Sequence, residues 1–68
     1  MDIRFEPSKA LASIDHAMLD DRPVGLLQQI GDRYRAIIYR DDETDVEASV
    51  SNRIDAEAFI RIGVLGQS

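Results

Sequence analysis

Two half-apolar runs separated by an acidic break constrain this chain more than any other feature. The first is Arg33-Tyr34-Arg35-Ala36-Ile37-Ile38-Tyr39-Arg40, and the second runs from Val46 to Ile54. In the second, Val46, Ala48, Val50 and Ile54 share one parity while Glu47, Ser49, Ser51 and Arg53 take the other. That alternation is the signature of a half-buried strand. In the first run Tyr34, Ala36 and Ile38 face one way. Asp41, Asp42, Glu43, Thr44 and Asp45 between the runs are polar throughout and make a turn. The expected pairing sets Ile38 against Val46, Ala36 against Ala48 and Tyr34 against Val50.

A chain of 68 residues allows a single domain, 1–68, and a core that rarely supplies more than about 3–5 kcal/mol. Domains of this size commonly lean on a disulfide, a metal or a partner chain. The sequence has no cysteine and one histidine, so disulfides, thiolate metal sites and imidazole clusters are excluded. Association with another chain is the route left.

Acidic residues outnumber basic ones 13 to 8, for a formal net charge of −5, and every base except Lys9 is arginine. This balance argues against nucleic acid and anionic membranes, whose phosphates call for excess Lys and Arg. It suits a partner with a basic surface. No apolar run approaches the length of a membrane span, and the first residues lack the basic and apolar regions of a signal peptide. A cytoplasmic location is expected.

In chain order, residues 1–6 alternate Ile3 and Phe5 with charged neighbours, as an arm or edge strand would. Pro7 and Ser8 then suit a helix start. Ala10, Leu11, Ile14, Ala17 and Met18 recur at helical spacing, which predicts an amphipathic helix from Lys9 to Asp20. Leu11 and Ile14 belong to its core-facing stripe. His16 falls on its polar face as a solvated histidine. Asp20 and Asp21 end it.

Residues 24–30 fit either a short helix or a strand, and the strand is preferred because a third strand stabilises a bare hairpin. Gly31-Asp32 is then a two-residue loop of the type II′ kind, pairing Ile30 with Arg33, Gln28 with Arg35, Leu26 with Ile37 and Val24 with Tyr39. A three-residue loop would flip the first strand to the other face. Residues 55–65 fit a helix capped by Asp55 or a fourth strand, and Asp-Ala-Glu-Ala favours the helix. Residues 64–68 are expected to fray. The architecture predicted is α+β: an N-terminal amphipathic helix packed on a three-stranded antiparallel β-meander, with a short C-terminal helix.

Few residues suggest chemistry. Asp41, Asp42, Glu43, Asp45 and Glu47 offer carboxylates, but not at the spacing of a calcium loop, so they read as a solvated tip and as acidic contacts for a partner. Arg33, Arg35 and Arg53 near Tyr39 resemble a weak single-strand nucleic-acid platform, opposed by the adjacent acids. Ser8, Ser13, Ser49 and Ser51 have no base at a recognisable spacing, and no phosphate loop or nucleophile elbow is present. No enzyme, metal or cofactor is expected. Val24, Leu26, Ile37 and Tyr39 would form a second apolar face that the first helix cannot cover, and these are the interface candidates. The expected function is a small protein–protein interaction module or regulatory subunit, homodimeric through that face. The first alternative is an acidic inhibitor of the kind phages and mobile elements encode, blocking a basic nucleic-acid-binding groove. The second is an RNA or DNA binder using the sheet surface.

Overall fold

The computed structural model describes residues 2–40 and 45–66. Five strands, β1 (Arg4–Pro7), β2 (Ile14–Leu19), β3 (Arg22–Ile30), β4 (Arg33–Ile38) and β5 (Val46–Val50), precede one helix, α1 (Arg53–Leu65). The strands form one antiparallel sheet in chain order, β1-β2-β3-β4-β5. The expected three-stranded meander is not the whole sheet: β3, β4 and β5 are three of its five strands, and the last ends at Val50, so that Arg53 and Ile54, read as its end, open α1 instead. Tyr34, Ala36 and Ile38 face Val50, Ala48 and Val46, and Ile30, Gln28 and Leu26 face Arg33, Arg35 and Ile37, all in the expected register. Gly31 has φ +61° and Asp32 does not share a positive φ, as a type II′ loop requires.

The expected N-terminal helix does not form, and the sheet has five strands where three were predicted. Residues 8–13 make a tight turn instead. Ser8 Oγ accepts from the N–H groups of Ala10 and Leu11, as a helix cap would. The Ser8 N–H then donates to the Ile14 carbonyl at 2.8 Å, closing a hairpin. Ile14–Leu19 pairs with β1 on one side and β3 on the other. Its apolar residues fall on both sheet faces, and sampling two faces at once mimics a helical stripe. An isolated helix of three turns is marginal in water, whereas a strand between two neighbours satisfies its backbone on both edges. Leu11, assigned to the core stripe, is 55% exposed. Asp20 and Asp21 do not terminate a helix: with φ of 52° and 64° they form the two-residue loop between β2 and β3, as a type I′ turn demands.

The predicted C-terminal helix is present but begins earlier. Its cap is Asn52 and not Asp55: the Asn52 side chain accepts from the Asp55 N–H at 2.8 Å. Asp55 sits in the first turn, where its charge suits the helix dipole. Of the tail expected to fray, Val64 and Leu65 end the helix, and residues 67 and 68 lie outside the described residues. The core is the layer between α1 and one sheet face: Ile3, Ala17, Leu27, Ala36, Ile38, Ala56 and Ile60. Three of these seven are alanines, Ala17 and Ala36 on the sheet and Ala56 on the helix, and they let the helix come close. A Cβ on Gly63 would meet the Ile38 side chain, and one on Gly25 would meet the Ile37 carbonyl.

Candidate interaction surfaces

The sheet face away from α1 is assembled by register. Glu6, His16, Leu26, Ile37 and Glu47 stand in one row across all five strands. A second row is Ile14, Gln28, Arg35 and Ser49. Leu26 and Ile37 are thus neighbours at the centre of a face that no described element covers, each half-buried. The other two interface candidates do not join them there. The β2–β3 register shifts at Ala17/Met18, leaving Val24 without a β2 partner, and its side chain packs against the core cluster. Tyr39 lies beyond β4 and is exposed.

Of the arginines, Arg33 and Arg35 lie on this face of β4, and each reaches toward β5. Arg33 donates to Ser49 Oγ at 3.1 Å and to the Ser49 carbonyl at 3.3 Å. Arg35 grips Glu47 Oε2 through two nitrogens, at 3.0 and 2.6 Å. Beside them Ile30, Arg33, Tyr34, Arg35, Glu47 and Ser49 line a shallow groove of about 170 Å³. Arg53 is elsewhere, on the first turn of α1. Its guanidinium donates to Glu57 at 2.7 Å and pairs with Asp15, and these two carboxylates raise its pKa. The three candidates for a nucleic-acid platform are therefore not brought together, and two of them are held by carboxylates. Asp45 is exposed just before β5 and Glu47 is committed to Arg35, while Asp41, Asp42 and Glu43 lie outside the described residues. His16 is half-buried between Glu6 and Leu26 on β2, not on a helix.

A second apolar surface escaped the sequence reading. On the side of α1 away from the sheet, Ile54 is 79% exposed, Ile62 is 72% exposed and Leu65 is also exposed, with Ala58 between them. Their spacing of four, four and three residues makes a stripe roughly 16 Å long on one helix face. The signal was in the sequence. Once Ala56, Phe59, Ile60 and Gly63 are assigned to the core, the remaining apolar residues form a second stripe. A helix apolar on two sides normally ends up covered on both.

Among the described residues, no three His, Asp or Glu side chains converge on a metal position. No helix there is long and apolar enough to cross a membrane. No family model matches the chain, and neither curated proteins nor solved structures yield a match.

Proposed function

We propose that the chain is a non-enzymatic protein–protein interaction module that works as a homodimer. The observation that carries this is the outer stripe of α1: two isoleucines more than 70% exposed, on a helix whose opposite side is already buried. Single exposed apolar residues are ordinary, but a contiguous stripe marks a docking surface. The small core supports the same reading, since a second chain adds burial to a domain of this size.

Sedimentation velocity across about 1 to 100 μM should show a dimer, and the thermal midpoint should rise with concentration as mass action requires. Added salt should leave that dimer almost unchanged because apolar contacts are not screened. A chain that remains monomeric through the whole range overturns homodimerisation. Tight, salt-sensitive capture of a basic protein by that monomer would place the acidic inhibitor first.

A further inference from the structure

The two edges of the sheet are defended differently. Edge strands expose unpaired N–H and C=O groups and are normally blunted by proline, charge, a bulge or brevity. β1 has four residues, ends on Pro7 and carries Arg4 and Glu6. β5 has no proline, no register shift and one charged side chain, Glu47, which is folded back onto Arg35.

Which backbone groups of β5 are free follows from ladder alternation. The loop-closing pair Ile30–Arg33 and the 3.0 Å bond from the Tyr39 N–H to the Val24 carbonyl make the odd-numbered residues of β4 bond to β3. Tyr34, Ala36 and Ile38 then bond to β5, so the backbones of Val46, Ala48 and Val50 face inward. Those of Glu47 and Ser49 face out.

We propose that β5 pairs with β5 of a second copy, antiparallel about a two-fold axis at Ala48, giving one continuous ten-stranded sheet. This rests on the homodimeric function above and adds the β5 edge to the helix stripe that carries it, of which it covers Ile62. An isologous contact sets residue i against j and j against i, and the near-palindromic segment Val46-Glu47-Ala48-Ser49-Val50 places valine against valine when it does so. Centred on Ala48, each Val46 meets the other copy's Val50 on the helix side. On the opposite side each Glu47 meets the other copy's Ser49. The two symmetry-related Glu47–Ser49 pairs use the outward backbone groups and complete four ladder bonds. Centring one residue earlier would oppose two Glu47 carboxylates, which is repulsive.

Charge and helix placement agree with this register. Arg33 sits on Ser49 and meets no carboxylate among the described residues. Pairing about Ala48 brings Glu47 of the second copy beside that guanidinium. On the other face α1 packs over β4, β5 and β3, so the two helices would run side by side, their axes roughly 10–14 Å apart at the usual strand spacing. Arg53 and Arg61 reach toward Asp15 and Asp2, on the β1–β2 side. Ile62, a rotation of roughly 100° from Arg61, falls on the β5 side of the helix. The exposed Ile62 would therefore be covered by its own copy.

The test uses the full chain with a single cysteine. In the proposed register the two Ala48 Cα atoms lie roughly 4.5 Å apart as a non-hydrogen-bonded pair, a separation disulfides accept. Ala48→Cys, treated with oxidised glutathione, should form a disulfide dimer on a non-reducing gel, while Lys9→Cys at the far end of the molecule should not. A wild-type dimer whose Ala48→Cys variant cross-links no better than Lys9→Cys overturns the edge pairing and leaves homodimerisation standing. A wild-type monomer overturns both. Ser49→Pro is an independent check: its N–H faces outward, so proline leaves the β4 ladder intact. It should give a monomer with an unchanged far-ultraviolet spectrum, and a Ser49→Pro dimer overturns the proposal.

Discussion

Under α1 the sheet presents Ala17, Gly25, Leu27, Ala36 and Ile38, all buried, whereas the other face presents Glu6, His16, Leu26, Ile37 and Glu47, none fully buried. The helix side is assembled from small residues with a few large aliphatic ones between them, so that a helix can seat closely and exclude water. The open side is laced by long side chains reaching between strands, Arg33 to Ser49 and Arg35 to Glu47. The first face holds the fold by removing apolar area from water. The second is held by solvated pairs, which contribute little to stability and leave the surface available for contact.

Substitutions on the two faces should therefore differ sharply in effect. Leu27→Ala and Ile60→Ala, at the two largest fully buried side chains, should each cost about 2–5 kcal/mol. In a domain of this size that approaches total stability, so urea melts should show little or no native baseline. Leu11→Ala, exposed in its turn, should fall within about 0.5 kcal/mol of wild type. Equal losses at Leu11 and Leu27 would mean that residues 8–19 pack differently.

On the open face Ile37→Glu places an acid directly opposite Glu47 and should cost about 1 kcal/mol through cross-strand repulsion and lost apolar contact. Its sedimentation should match wild type if association uses the β5 edge. A monomeric Ile37→Glu variant would transfer the interface to Leu26 and Ile37.

The smallest effect concerns Asp2. Its carboxylate accepts from the Ile3 N–H at 2.7 Å and from Arg61 at 3.2 Å, and these bonds lower its pKa below the ordinary 3.8. A carboxyl with a lowered folded pKa contributes stability that is fully present above the ordinary value and is lost as pH falls below it. Thermal midpoints of wild type and Asp2→Asn should thus converge on acidification below pH 3.8. A gap that persists there would show that Asp2 acts without its charge.

The register of β3, β4 and β5 was legible because its cues are local: a Gly-Asp loop with a positive φ at Gly31, and parity in Val46, Ala48 and Val50. Residues 9–20 misled because Ile14, Ala17 and Met18 satisfy helical spacing and a two-faced strand equally well. Spacing along the chain cannot separate those cases when neighbours lie on both sides. The helix cap was displaced three residues, from Asp55 to Asn52, since both side chains can accept at a helix start.

The interface candidates show the same boundary. Opposite parity for Leu26 and Ile37 relative to Leu27 and Ala36 followed from the sequence alone, as did the lack of any cysteine and of a second histidine. Which face α1 covers, where the β2–β3 bulge turns Val24 into the core, and which strands become edges were decided by tertiary structure. Alternation is a property of one strand. Burial and edge position depend on what packs beside it, and here that was set by a strand, β2, whose own residues spelled a helix.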